Sequence, residues 1–224
     1  MTKENLKIVF MGTPQFAVES LKTLIEEKYN VVGVVTMPDK PIGRHQTELS
    51  VSAVKQFAQN HGLPILQPAS LRDEAFLEAL RKWEADIQIV VAFRMLPEVV
   101  WAMPPFGTFN LHAALLPQYR GAAPINWAII NGETQTGVTT FFLDHDIDTG
   151  NIIRRVPVPI LDTDNAGNVH DRLMHLGAKL VRETVDAVIE GDLHTIPQQS
   201  LAEETKLHTA PKIFRETCRI QWGN

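Results

Sequence analysis

Three side chains able to move a proton or donate to an oxygen, Asn110, His112 and Asp148, stand in two short segments of the sequence. Asn110 and His112 lie two positions apart in FNLHAALLPQYRG, and a strand places such a pair on one face. Asp148 opens an Asp-Thr-Gly tripeptide in FFLDHDIDTGNII, a tight turn that would hold its carboxylate at a strand end. If the segments are neighbours in the fold, an amide, an imidazole and a carboxylate converge.

Such a trio suits the transfer of an acyl group to an amine. The attacking amine must lose a proton, the carbonyl oxygen gains negative charge, and the leaving nitrogen must be protonated. His112 could move the protons, Asp148 could orient and bias the imidazole, and Asn110 could donate to the oxyanion. No covalent nucleophile is then needed, which fits the absence of a G-x-S-x-G motif from the sequence. The open alternative is that the histidine is only a hydrogen-bonded structural residue.

The acids of the second segment also alternate as they do at the start of a calcium-binding loop. The rest of the loop pattern does not fit, because counting from Asp144 places Thr149 at the glycine position and Arg155 at the glutamate position. For Asp144 and Asp146 we favour turn capping, in which the carboxylate accepts from backbone N–H groups. The other histidines show no convincing ligand spacing with carboxylates, so no metal is predicted.

The elements that must position these residues alternate between short apolar strands and amphipathic helices. Continuous apolar runs such as LKIVFMG, NVVGVVTM and DIQIVVAF, with helical patterns between them, are typical of parallel strands covered on both faces. From residue 106 the strands follow one another more closely, which predicts a mixed sheet edge. A long closing helix then ends at Gly191. The sequence therefore predicts an α/β fold with a doubly wound, mostly parallel sheet.

Composition limits the class of protein. At 224 residues, with 44% hydrophobic and 21% charged residues, the chain is long enough for one sizeable domain. Its net charge of -5 gives no overall basic field, so any RNA contact would depend on a local patch. The single cysteine, Cys218, excludes an internal disulfide and suits a reducing compartment, so we expect the cytoplasm. Neither a signal peptide nor an apolar stretch of membrane-spanning length is seen, so no membrane role is predicted.

The motifs N-x-H, L-L-P-x-x-R-G and D-T-G together resemble the signature of the folate-dependent formyltransferases, and similarity extends over nearly the whole chain. The resemblance implies a Rossmann-like domain that moves a formyl group from 10-formyltetrahydrofolate to an amine without a metal. It implies Asn110, His112 and Asp148 as the catalytic residues.

The resemblance also bears on the folate pocket. Ala114, Leu115, Leu116 and Pro117 follow His112 directly and are candidate walls for the pterin. The family usually has a serine where this chain has Ala114, which removes one hydroxyl from that pocket. The segment VVAFRMLP replaces the more usual VVAYGxILP, which would place an arginine, Arg94, near the pocket.

Two further motifs, at 12–17 (GTPQFA) and 36–44 (TMPDKPIGR), bear on the formyl acceptor. The pair is similar to the members that formylate initiator methionyl-tRNA, and Arg44 is then a candidate contact to an RNA phosphate. The following HQTELSVS lacks the lysines that the family often shows there, so few phosphate contacts are expected. The alternatives left open are an amino-sugar-nucleotide formyltransferase, a formyltetrahydrofolate hydrolase and a non-catalytic folate- or tRNA-binding module.

We expect residues 1–200 to form the catalytic domain. Residues 201–224 are polar with little periodicity and resemble a linker toward a C-terminal domain that is absent from this sequence. We expect a monomer with tetrahydrofolate and initiator Met-tRNA as its partners.

Overall fold

The computed structural model describes residues 1–42, 48–202, 206–220 and 222 of the chain. Its strands are β1 Ile8–Gly12, β2 Val31–Val35, β3 Lys40–Ile42, β4 Glu48–Ser50, β5 Ile65–Leu66, β6 Ile87–Val91, β7 Thr108–His112, β8 Arg120–Gly121, β9 Gln135–Phe142, β10 Ile152–Pro159 and β11 Thr209–Ala210. Its helices are α1 Gln15–Glu26, α2 Ala53–Asn60, α3 Glu74–Arg81, α4 Glu98–Trp101, α5 Pro124–Ile130, α6 Ala166–Glu190 and α7 Gln199–Ala202.

A seven-stranded sheet in the order β10-β9-β7-β6-β1-β2-β5 forms the centre of the molecule. The five strands from β5 to β7 are parallel, whereas β9 and β10 are antiparallel additions at one edge. The predicted doubly wound α/β fold with a mixed edge is therefore confirmed. The carboxyl ends of the parallel strands meet at one side of the sheet, which is where open α/β sheets mount their sites.

The position of the central strand β1 explains why its sequence is apolar throughout. Ile8 and Phe10 pack into the hydrophobic cluster that includes α1 and α6, while Val9 and Met11 pack into the cluster formed with α3 and α4. Both faces of the strand are thus buried, as the continuous apolar run predicts. The closing helix α6 ends at Gly191, which adopts the left-handed conformation with φ +72°, as expected.

Several short elements were not predicted from the sequence. They are the hairpin strands β3 and β4, the helices α4 and α7, and the two-residue pair β8–β11. The last pair joins residues 209–210 to residues 120–121. Ala210 is fully buried, and the peptide N–H of Tyr119 donates to the carbonyl of His208 at 2.7 Å. Part of the polar C-terminal segment therefore packs on the body of the domain.

Among the described residues, no helix combines the length and apolarity needed to cross a bilayer.

Candidate active site

Strand β7 positions the first two candidate residues at the carboxyl edge of the sheet. It lies between parallel β6 and antiparallel β9, and Asn110 and His112 point to the same side, as period two requires. The His112 ring is 5% exposed, and its Nε2 lies 2.8 Å from the carbonyl oxygen of Tyr119. A carbonyl oxygen only accepts, so Nε2 carries the hydrogen and the neutral ring has its lone pair on Nδ1.

The third candidate, Asp148, lies in the turn between β9 and β10. Its φ of +55° is in the left-handed region, and the N–H of Gly121 donates to its Oδ2 at 2.9 Å. Gly150 closes the turn where a Cβ atom would lie only 1.8 Å from the carbonyl oxygen of Phe142, which explains the glycine of the Asp-Thr-Gly sequence. The turn brings Asp148 Oδ2 to 3.8 Å from His112 Nδ1.

The carboxylate therefore faces the ring nitrogen that carries the lone pair. At 3.8 Å the contact is longer than a hydrogen bond, and it becomes an ion pair once Nδ1 takes up a proton. Nδ1 is thus the atom of His112 placed to accept and return a proton, with a fixed negative charge beside it.

Asn110 completes the arrangement. Its side chain is half-buried and lines the same cavity as His112 and Asp148. Within the described part of the chain, no hydrogen bond engages its side-chain amide, so the NH2 group is available to an oxygen in the cavity. The three residues that the sequence singles out are brought together, while their catalytic roles stay predictions.

The cavity has a volume of about 1250 Å³. Its walls are mainly the loop after β6, at residues 92–97, and the loop after β9, at residues 143–148. Residues 69–72, residues 121–126 at the start of α5, and side chains such as Phe16 and His170 also line it. Its lining is mixed, with apolar side chains such as Phe93 and Leu96 as well as charged ones such as Asp144 and Asp148.

The four residues expected to wall the folate pocket lie elsewhere. Ala114 and Leu116 are fully buried, and the peptide N–H of Leu116 donates to Thr139 Oγ1 at 3.1 Å beneath the strand β9. Leu115 borders a separate, smaller cavity, and Pro117 is buried. Among the described residues that line the large cavity, none of these four appears. A role for them in folate binding stays a prediction.

Arg94 does lie at the cavity, as the resemblance implies. Its guanidinium donates to the carbonyl oxygens of Pro68 and Ala69, so it connects the loop after β6 to the loop after β5. Burial lowers the pKa of the Arg94 guanidinium. The side chain therefore holds one wall of the cavity in place.

The 36–44 motif has a structural part and a part that lies outside the described residues. The hydroxyls of Thr36 and Ser52 lie 2.8 Å apart, which ties the end of β2 to the start of α2. Asp39 pairs with Lys55 and accepts from Gln67 at 2.8 Å. The hydrogen bonds from Lys55, first, and from Gln67 lower the pKa of the Asp39 carboxyl. Arg44 lies outside the described residues.

Of the other acids in the second segment, Asp144 behaves as a turn residue, while the capping role of Asp146 stays a prediction. Asp144 Oδ1 accepts from the N–H of Asp146 at 3.2 Å and from the hydroxyl of Thr149 at 2.6 Å, so the predicted capping role of Asp144 is confirmed. Among the described residues, no group of three His, Cys, Asp or Glu side chains could hold a metal ion.

Comparison with known proteins gives the family. The model described as "Formyl transferase" matches residues 6–185. The chain belongs to the formyl transferase family. This confirms the resemblance. The similar relatives indicate a subgroup within the family. A methionyl-tRNA formyltransferase of Phocaeicola vulgatus is 67% identical over the whole chain, which covers 69% of that protein. One of Bacteroides fragilis, strain YCH46, is 66% identical, and the chain covers 68% of it.

Solved structures of formyl transferases share the fold at lower identity. A sugar N-formyltransferase from Shewanella sp. matches with a TM-score of 0.72 and 15% identity, covering 98% of this chain and 82% of that one. A phosphoribosylglycinamide formyltransferase from Streptococcus pneumoniae matches with a TM-score of 0.69 and 23% identity, covering 82% of this chain and 98% of that one. These likenesses establish a common formyl transferase architecture.

Sequence reasoning missed two sets of residues at this site. The cavity wall at 92–97 carries little motif signal beyond the unusual Arg94. The others are the carbonyl of Tyr119, which contacts His112 seven positions away, and the side chain of Gln198, which contacts the Asp148 turn across 50 positions. No local pattern in the sequence marks either of them.

Proposed function

We propose that this chain transfers a formyl group from 10-formyltetrahydrofolate to the amino group of initiator methionyl-tRNA, and so supports translation initiation. The relatives named methionyl-tRNA formyltransferase, at 53–67% identity, support this choice of acceptor. The observation that carries the reaction type is the convergence of Asn110, His112 and Asp148 in one cavity.

The cavity fits a donor as large as a reduced folate. Pockets for drug-sized molecules are typically about 300–1,000 Å³, so a cavity of about 1250 Å³ has room for such a molecule and for part of an acceptor. Apolar residues in the loops at 92–97 and 143–148, such as Phe93, Leu96 and Leu143, would contact the pterin. One related fold, the sugar 3N-formyl transferase WlaRD, was solved with 5-N-formyl-THF, which supports a folate donor for this family member.

The donor supplies a formyl carbon bonded to nitrogen, and the residues of this chain supply the proton and charge chemistry. Nδ1 of His112 takes the proton that the acceptor amine loses as its nitrogen bonds to that carbon. The Asp148 carboxylate, 3.8 Å away, stabilises the charged imidazolium. The Asn110 amide donates to the carbonyl oxygen while it carries negative charge. His112 then returns the proton to the departing nitrogen, so no proton is left over and no metal is required.

The remaining partner assignments rest on the sequence. We propose Arg44 as a contact to tRNA phosphate, residues 1–200 as the catalytic domain and 201–224 as the segment leading toward a tRNA-holding C-terminal domain. Within the C-terminal segment, residues 208–211 contact the loop that carries Tyr119. This contact would connect the C-terminal segment to the active site. We further propose a cytoplasmic monomer.

A competition between acceptors tests the proposal. The chain is given a formyl-labelled donor with initiator Met-tRNA, with amino-sugar nucleotides, or with water alone. Label should appear on the methionine amino group with the tRNA and stay low with the other two. Preferential label on the sugar amine, or rapid release of formate, would overturn the assignment of the acceptor.

A further inference from the structure

Gln198 stands out in the exposed segment that follows α6. Most residues at 191–200 are exposed, yet the Gln198 side chain is 2% exposed. The segment is brought to the sheet by an antiparallel bridge between Ile196 and Ile152, with N–H to O distances of 2.8 and 2.9 Å. A buried amide at such a place needs hydrogen-bond partners, and those partners belong to the active site.

The two ends of the Gln198 amide contact two different active-site loops. Its Nε2 donates to the carbonyl oxygens of Asp148 and Gly150, at 2.9 and 2.8 Å. Its Oε1 accepts from Nε and Nη2 of Arg120, at 3.0 and 2.7 Å. Carbonyls only accept and a guanidinium only donates, so this orientation of the amide is the only one that fits. Both hydrogens and both lone pairs of the amide are used.

The loops joined by this amide are the ones that fix the contact between His112 and Asp148. Arg120 precedes Gly121, whose N–H holds Asp148 Oδ2, and it follows Tyr119, whose carbonyl holds His112 Nε2. Gln198 thereby closes a ring of hydrogen bonds around the position of the carboxylate. Asp148 has a left-handed backbone, which persists only where surrounding contacts hold it.

We propose that Gln198 is a positioning residue for catalysis, which sets the Asp148 carboxylate against Nδ1 of His112 by joining the Arg120 loop to the Asp148 turn. The residue does not line the cavity and touches no substrate. Gln198 would act on the geometry of proton transfer. This role in catalysis rests on the proposed formyl transfer.

Two substitutions remove the amide donor in different ways. Gln198→Glu keeps an acceptor for Arg120 but turns a carboxylate oxygen toward the carbonyls of Asp148 and Gly150. Gln198→Met has similar length, makes neither bond and adds no charge. Agreement between the two variants excludes the added charge as the cause. Gln199→Glu is the matched control, since Gln199 is exposed at the start of α7 and outside the site.

The first readout is kinetic. For both Gln198 variants we expect kcat to fall roughly ten- to a hundredfold, as for small misplacements of catalytic groups, with KM for the folate donor within about twofold of wild type. The acidic limb of the kcat–pH profile should shift to lower pH, because a displaced Asp148 carboxylate stabilises the charged imidazole less. A purely structural role would instead lower the melting temperature and leave the kcat of the folded enzyme and its pH profile unchanged.

The second readout needs no activity. We expect amide hydrogen exchange at Gly121, measured by NMR, to become about tenfold faster or more in both Gln198 variants, while amides of β1 and β6 are unaffected. Gln199→Glu should match wild type in every measurement. Unchanged exchange at Gly121, or faster exchange with wild-type kcat and pH profile, would overturn the inference. If wild type itself fails to formylate Met-tRNA, the proposed function falls, and the exchange measurement still decides whether Gln198 holds the turn.

Discussion

Asp148 Oδ2 lies 3.8 Å from Nδ1 of His112, on the side of the ring opposite the hydrogen bond between Nε2 and the carbonyl of Tyr119. The two contacts give the two ring nitrogens different surroundings. In the proposed mechanism, Nε2 keeps its hydrogen and fixes the ring, while Nδ1 takes up and returns a proton beside a carboxylate. The proposed mechanism therefore depends on the position of one carboxylate.

The first prediction concerns Asp148→Asn, in which the side-chain oxygen can still accept from Gly121 but the negative charge is lost. A carboxylate favours the charged imidazolium, so its removal should make the neutral, proton-accepting form prevail at lower pH. The acidic limb of the kcat–pH profile should shift to lower pH, and kcat should fall because the charged state is less stable. The measurement is kcat for formyl transfer across pH 5 to 9 for both proteins. An unshifted acidic limb would make Asp148 a turn residue only.

The second prediction concerns Gly150→Ala. A Cβ there would lie 1.8 Å from the carbonyl oxygen of Phe142, so the Asp148 turn must move. Overpacking of this kind typically costs about 1–3 kcal/mol, which denaturant unfolding would detect, and kcat should fall more than KM rises because the carboxylate is displaced. Asn151→Ala, at the exposed neighbouring position, is the control and should resemble wild type. A stable, fully active Gly150→Ala variant would contradict this account of the turn.

The third prediction concerns Asp39→Asn. Because the pKa of the Asp39 carboxyl is lowered in the folded protein, its ionised form stabilises the fold at pH values above the ordinary aspartate range, and that stabilisation is lost as the pH falls through the lowered pKa. The melting temperature of the variant should therefore be below that of wild type at pH 7, and the difference should shrink toward pH 3. Asp192→Asn, at an exposed site, should show a smaller difference at pH 7. A difference that stays constant with pH would exclude the charged pair as its cause.

Local patterns predicted much of the fold and the polar part of the site. The continuous apolar run of β1 indicates a strand buried on both faces, and the amphipathic pattern of α6 indicates a helix with one buried face. The spacing of Asn110 and His112 predicts that both lie on one face of β7. The Asp-Thr-Gly sequence indicated the turn that carries Asp148. These features depend on residues close together in the chain.

The features that the sequence does not predict depend on contacts between residues far apart in the chain. Gln198 meets the Asp148 turn across 50 positions, so no motif marks it. Nor does the sequence indicate that the chain turns beneath β9 after His112, where Leu116 packs against Phe141.

The fourth prediction concerns Arg44 and the salt dependence of tRNA binding. Each phosphate that a basic side chain neutralises adds to the slope of log affinity against log salt concentration, so Arg44→Ala should reduce that slope by about one unit. Arg81→Ala removes an exposed arginine that pairs with Glu74 and should leave the slope unchanged. Folate affinity should be the same in all three proteins. An unchanged slope for Arg44→Ala would remove this residue from the tRNA contact surface.

The measurement that most directly tests the central claim is single-turnover formyl transfer to initiator Met-tRNA by wild type, His112→Ala and Asn110→Ala, with folate affinity measured separately. Loss of the proton-transferring imidazole should slow the step about a hundredfold or more, and loss of the oxyanion donor should slow it by about 10² to 10³. Folate affinity should change far less, and His194→Ala, at an exposed histidine, should match wild type. Near wild-type turnover by His112→Ala would contradict the mechanism.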